Sequence, residues 1–262
     1  MSPSVVTAVS IAWLVVTDLL APLLALPGVT DAAEAAREAL AKAHRHRTNL
    51  RNWSVTAAES AVRGARASSS LDGGGLRLDE SGVEADDPIL AGALRVNQAL
   101  EGGTTSLIGV WRRAPLQALA RLHSLAAADM ADDERLGRPR QEPDVAARLD
   151  LMSRLLAGQS SAPAPILSAV VHGEVLALAP FDVGNGLVAR AVSRLVTIAS
   201  GLDPHGLGVP EVYWVRRAEQ YRAAAAGFAS GTSEGVAQWL AMSCKALEDG
   251  AREAISIAES VG

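Results

Sequence analysis

Apolar residues recur every three to four positions along almost the whole chain, which is the spacing of one face of an α-helix. No alternating run of apolar and polar residues, the pattern of a half-buried strand, reaches a useful length. The Gly-rich segment 71–78 is the best candidate for extended structure. We therefore predict an all-α chain. The predicted helices span residues 5–26, 31–48, 54–67, 87–101, 111–130, 143–157, 163–178, 186–201, 210–228 and 232–260.

Three segments break the helical pattern and are predicted to be loops. Residues 68–87 are polar and Gly-rich, residues 131–143 are charged and carry two prolines, and residues 201–210 are rich in turn-forming residues. No internal repeat and no long linker divides the chain. We predict a helical extension, residues 1–50, that packs on one domain formed by residues 51–262.

The first predicted helix, residues 5–26, is apolar and long enough to cross a membrane. Asp18 lies within this stretch, Pro22 interrupts it, and no Lys or Arg comes before it. Membrane anchors and secretion signals usually carry basic residues that orient them. We therefore predict a buried helix and no membrane association, with a membrane anchor as the alternative.

Composition and charge narrow the classes of partner. The chain is 49% apolar, only 3% aromatic, and has a formal net charge of −5. An acidic chain has no general electrostatic attraction for nucleic acid, so no nucleic-acid partner is predicted. The single cysteine, Cys244, cannot form an intramolecular disulfide and is typical of a reducing cytoplasm, which is the predicted location. The sequence excludes neither an interaction with an unknown protein partner nor assembly into a homo-oligomer.

The segment with the clearest chemistry is residues 179–190, which read A-P-F-D-V-G-N-G-L-V-A-R. The pattern predicts a helix end, a tight turn that Gly184 and Gly186 permit, and a second helix. Free amides and the positive end of the dipole at the start of a helix favour an anion. A plain corner between two helices is the alternative interpretation.

This segment resembles the signature of the Fic family, H-P-F-x-[DE]-G-N-G-R-x-x-R. The positions that match are Pro180, Phe181, Gly184, Asn185, Gly186 and Arg190. Residues 122–124, residues 137–140 and the helix around Trp239 also look Fic-like, so the resemblance extends over about residues 50–262. It implies a Fic-like helical domain, a fold whose enzymes transfer AMP from ATP to a hydroxyl group on a target protein.

Three positions depart from that signature. Ala179, Val183 and Leu187 stand where the family has its histidine base, its acidic Mg²⁺ ligand and its first phosphate-binding arginine. The resemblance therefore implies a pseudoenzyme that binds ATP weakly at best, without Mg²⁺ and with no metal site. Asp182 and His205 stay open as substitutes for the lost groups. Because the replacements are small or apolar, we expect that restoring the family residues leaves the fold intact.

The residues expected to bind a nucleotide or phosphate are Phe181, Asp182, Gly184, Asn185, Gly186 and Arg190. An active transferase with altered residues and a structural interaction domain are the alternative functions. A short hairpin flap, which positions the target segment in Fic enzymes, should lie between Arg140 and Val145. Only four residues separate these two positions, so the flap is expected to be too short.

A second resemblance concerns residues 68–73, which read S-S-S-L-D-G. They are similar to the inhibitory pattern [ST]-x-x-x-E-[GN] of many Fic proteins, with Ser68, Asp72 and Gly73 at its defined positions. The resemblance implies that Asp72 pairs with Arg190 and blocks ATP. Their charged groups should then lie within about 4 Å or share one bridging water. A Ser-rich loop ending in a turn is the alternative.

Overall fold

The computed structural model describes residues 18–75, 87–101, 107–156 and 160–262. In these ranges the chain forms helices and no strand, which confirms the predicted all-α class. The α-helices are α1 (Ala21–Leu24), α2 (Val29–His44), α3 (Arg47–Leu71), α4 (Pro88–Leu100), α5 (Leu107–Arg113), α6 (Pro115–Ala126), α7 (Pro143–Arg154), α8 (Ala164–Leu178), α9 (Asn185–Ala199), α10 (Pro210–Arg216), α11 (Ala218–Ala229) and α12 (Ser233–Val261). A single 3₁₀ turn covers Asp133–Arg135.

Helix α9 is the centre of the structure. Every residue from Leu187 to Ile198 is buried, as expected for a helix that is surrounded by others. Helices α4 to α7 pack on one side of the α8–α9 pair, around an apolar core that includes Phe181 and Leu187. Helices α2 and α10 to α12 build a second core against α8, with Trp214 and Trp239 among its largest side chains.

Helix α2 packs along α12 and also contacts α8. Its buried face consists of small and medium side chains, Val29, Ala33, Ala36, Leu40 and Ala43, which allow the helices to approach closely. Helix α3 runs through the predicted boundary at residue 50, and that boundary stays a prediction.

Several predicted helix limits are wrong. Residues 5–17 of the first predicted helix lie outside the described residues, and only Ala21–Leu24 of the remainder is helical. No helix among the described residues is long and apolar enough to cross a membrane. The predicted helices 111–130 and 210–228 are each divided in two, before Pro115 and at Arg217.

The segment around residue 70 also differs from its prediction. Residues 68–71, expected to belong to a loop, are the last turn of α3 and are therefore helical. The predicted extended segment 71–78 begins inside that helix and continues into Asp72–Gly75, which contains no strand. Its remainder, residues 76–78, lies outside the described residues. The serines favoured a loop in the sequence, but Ser68 and Ser69 are buried by packing, which overrides their low helix propensity.

Candidate functional site

The turn between α8 and α9 is closed by one side chain. The Asn185 side chain accepts a hydrogen bond from the Phe181 amide at 2.9 Å and donates one to the Phe181 carbonyl at 2.7 Å. Only a side-chain amide offers a donor and an acceptor in this arrangement. Gly184, with φ of 71°, provides the left-handed residue that precedes α9. The sequence predicted this turn, and the structure shows why Asn is needed in it.

Arg190 lies one helical turn further along α9 and is almost completely buried. Its Nε donates to Ser68 Oγ at 2.7 Å, and its Nη2 donates to the Ser68 carbonyl at 3.0 Å. The same Nη2 lies 2.9 Å from Asp72 Oδ1, so the predicted Asp72–Arg190 contact is present. The inhibitory role given to this contact stays a prediction.

The Asp72 carboxylate also lies against the first turn of α9. A Cβ atom added at Gly186 would collide with both carboxylate oxygens. A residue with a side chain at position 186 would therefore push Asp72 away from the helix start. The glycine thus permits a negative charge to lie between a buried guanidinium and the positive end of a helix dipole. Gly73, with φ of 90°, turns the chain away immediately after Asp72.

The sequence did not predict the residues of α11 that support this contact. Arg222 Nη2 donates to the carbonyl of Leu71, the last residue of α3, at 3.1 Å. Tyr221 is buried, and its hydroxyl shares a hydrogen bond of 2.8 Å with His172 Nε2. Burial raises the pKa of Tyr221, although the charge of Arg190 acts in the opposite direction. These residues carry no local motif, and only the three-dimensional packing brings α11 to the end of α3.

The three positions that differ from the Fic signature lie in different environments. Ala179 is half-buried and adopts a left-handed conformation with φ of 43°. Val183 is half-buried. Leu187 is only 2% exposed and belongs to the apolar core. The expectation that all three can be restored without damage stays a prediction, and the burial of Leu187 argues against it, because an arginine there would enter the core.

Neither proposed substitute is placed to replace the missing groups. Asp182 is exposed and forms an ion pair with Arg135 of the 3₁₀ turn. His205 stacks on Trp53, with ring centroids 4.1 Å apart. The next residue, Gly206, accepts a hydrogen bond from Arg194 Nη1 at 2.9 Å, so this loop packs on the C-terminal half of α9. Since α9 is about 22 Å long, His205 is too far from the turn to act as a base there.

A different histidine, His123, contacts the turn. Its ring stacks on Phe181 with centroids 3.9 Å apart, and its Nδ1 accepts a hydrogen bond from the Gly137 amide at 2.9 Å. Burial lowers the pKa of His123, so the ring is neutral and carries its proton on Nε2. The sequence marked residues 122–124 as Fic-like without predicting this contact.

The segment before α7 covers the end of α8. Arg140 donates from its backbone amide to the Pro180 carbonyl at 2.8 Å. Its Nε donates to the Ala179 carbonyl at 3.0 Å, and its Nη2 donates to the Leu178 carbonyl at 3.1 Å. Helix α7 begins at Pro143, and residues 136–142 contain no strand. The segment therefore caps a helix and contains no hairpin flap.

Comparison with solved structures identifies the architecture. A Fic family protein from Desulfovibrio desulfuricans G20 superimposes with a TM-score of 0.69 over 88% of this chain and 74% of its own, at 20% sequence identity. This chain has a Fic fold. Residues 134–508 of Fic-1 from C. elegans give the same TM-score over 92% of this chain and 76% of that one, at 17% identity. No protein-family model and no curated protein sequence matches the chain significantly. The agreement with Fic structures therefore lies in the helical architecture, with little sequence similarity.

Proposed function

We propose that this protein is a Fic-fold pseudoenzyme that binds a nucleotide or another phosphate-containing ligand and does not transfer AMP. The observation that carries the proposal is the Asp72 carboxylate, which lies between Arg190 and the first turn of α9. An anion already occupies the position that the Fic resemblance assigns to phosphate. A regulatory or binding role is the function that such a site supports best.

The residue types at the positions that differ from the Fic signature support the absence of AMP transfer. Ala179 cannot accept a proton, and Val183 cannot bind a hard cation. Loss of a general base typically lowers a rate by about 10²–10⁴-fold, and loss of charge stabilisation adds to this. His123 is no replacement, because the Gly137 amide occupies its only unprotonated nitrogen.

Asp72 is placed to compete with an incoming phosphate group. Its side chain is 25% exposed, whereas that of Arg190 is 2% exposed, so the carboxylate is the partner that solvent reaches. Replacing it with asparagine keeps the shape and removes the charge. This change should raise the affinity for an anionic ligand, because Arg190 and the helix start no longer interact with an internal carboxylate.

A thermal-shift experiment tests the proposal. Wild-type protein and the Asp72→Asn variant would be titrated with ATP, ADP and phosphate, with and without Mg²⁺. A ligand at 100 times its dissociation constant stabilises a protein by about 2.7 kcal/mol, so binding by Asp72→Asn should be visible. Asp182→Asn is the matched control, because this carboxylate lies in the turn before α9 but pairs with Arg135.

Two results would contradict the proposal. Self-labelling of the wild-type protein by labelled ATP and Mg²⁺ would show an active transferase with altered residues. The absence of a shift with every ligand in both proteins would favour a structural interaction domain.

A further inference from the structure

We infer that the ligand of this site presents a single phosphate group and binds without a metal ion. This inference rests on the proposed function and specifies its ligand. It starts from the charges that the described residues place around Asp72, namely one buried guanidinium and one helix start. Their positive charge offsets the negative charge of the single carboxylate that now occupies the site.

The Arg190 guanidinium already faces three protein partners, Ser68, Asp72 and the Tyr221 hydroxyl. Ser68 accepts one hydrogen bond from Nε and another from Nη2, and Asp72 forms an ion pair with the same Nη2. The guanidinium is also buried, so it cannot extend along a chain of phosphates. It therefore offers one contact to one anionic group.

Among the described residues, the other positions where the chain departs from the Fic signature offer nothing to a second or third phosphate group. Leu187 is packed in the core, and the Val183 side chain has no donor and no metal-binding oxygen. The adjacent carboxylate of Asp182 is engaged with Arg135. A triphosphate normally needs Mg²⁺ and several cationic groups to offset its charge. The residues here offset about one to two negative charges, which is the charge of a phosphate monoester.

The position of Asp72 allows it to leave without disturbing the fold. It is the first residue after α3, and Gly73 follows it in a left-handed conformation. The end of α3 is held independently, because Arg222 donates to the Leu71 carbonyl. The carboxylate can therefore turn away while Ser68 and Arg190 stay in place. The space that it leaves, beside the missing side chain of Gly186, is the space for one phosphate group.

Isothermal titration of the full chain tests this inference. Asp72→Asn would be titrated with inorganic phosphate, AMP and ATP, each with Mg²⁺ and with EDTA. We expect phosphate and AMP to bind with dissociation constants that change less than about twofold between the two conditions. ATP should bind no more than about threefold tighter than AMP. The comparison of phosphate with AMP distinguishes a free ion from a monoester as the preferred source.

Gly186→Ala is the control for location. Alanine is favourable in a helix, so this variant should fold, but its Cβ fills the space beside Asp72 and should weaken phosphate binding at least tenfold in the Asp72→Asn background. Binding that survives this change would overturn the assigned position. Binding of ATP that is tenfold tighter than that of AMP, and only with Mg²⁺, would overturn the inference and leave the proposed function intact. Failure of all three ligands to bind would overturn both.

Discussion

The left-handed residue at the end of α8 leads to a quantitative prediction. Ala179 has φ of 43° and ψ of 61°, and its amide closes the last turn of the helix by donating to the Val175 carbonyl at 3.0 Å. Glycine is the usual residue at such a position, because a Cβ clashes with the backbone in this conformation. The Ala179→Gly variant should therefore relieve strain at the position where the Fic signature has its histidine.

The magnitude follows from two opposing contributions. A left-handed conformation costs a residue with a Cβ about 1–2 kcal/mol. Glycine loses about 0.5–1 kcal/mol through its greater freedom in the unfolded chain. The net expectation for Ala179→Gly is a stabilisation of about 0.5 kcal/mol. The same exchange at Ala177, inside the helix, relieves no strain and should destabilise by about 1 kcal/mol.

The difference between the two variants is the measurement of interest. Because both exchange alanine for glycine, the unfolded-state contribution cancels, and the difference of about 1.5 kcal/mol reports the strain at Ala179. In a thermal unfolding experiment, this corresponds to about 3–6 °C between the two midpoints. Equal destabilisation by the two variants would refute the left-handed assignment at Ala179.

Two further predictions concern core and acid stability. Leu187→Arg should lower the free energy of unfolding by about 3–5 kcal/mol, because it buries an uncompensated charge. Val183→Asp, at a half-buried position, should lower it by only about 1 kcal/mol. Urea denaturation of the two variants measures both values. Burial, followed by the charge of Arg190, lowers the pKa of His172 well below its ordinary value, so the folded chain rejects a proton that the unfolded chain binds below about pH 6.5. The contribution of His172 to the free energy of unfolding should be fully present above that pH and should fall below it by up to about 1.4 kcal/mol per pH unit. The urea midpoint should therefore depend less steeply on pH in His172→Gln than in the wild-type protein.

The sequence predicted the helical class because the apolar spacing extends through almost every segment. It did not predict where long patterns divide. Pro115 begins a new helix within the predicted helix 111–130, although the apolar spacing continues through it. Arg217 separates α10 from α11 with φ of −131°, and no Gly or Pro marks that break. Such a break comes from the packing of both helices, which a local pattern does not contain.

The same limit applies to the candidate site. The turn and the Asp72–Arg190 contact were predictable because each resembles a short pattern of defined spacing. The contacts of Tyr221 and Arg222 were not, because they join distant segments without any motif: Arg222 and Leu71 are 151 residues apart, and Tyr221 and His172 are 49 residues apart. The stack of His123 on Phe181 belongs to the same class, since His123 lies on α6 and Phe181 lies in the turn between α8 and α9, and only the folded chain brings them together.

Two buried arginines on α9 show why only one of them suits a binding site. Arg194 donates to the carbonyls of Gly206 and Gly208 and lies 3.6 Å from Glu211, whose side chain is 3% exposed. Its carboxylate partner cannot leave without exposing a buried charge, which is costly. The carboxylate partner of Arg190 is 25% exposed and lies just beyond the end of a helix. In the proposed exchange, water would replace Arg190 as the partner of Asp72, and a phosphate group would replace Asp72 as the partner of Arg190. Such an exchange would keep both charges compensated, so of the two pairs the Asp72–Arg190 pair is the one that suits the proposed ligand site.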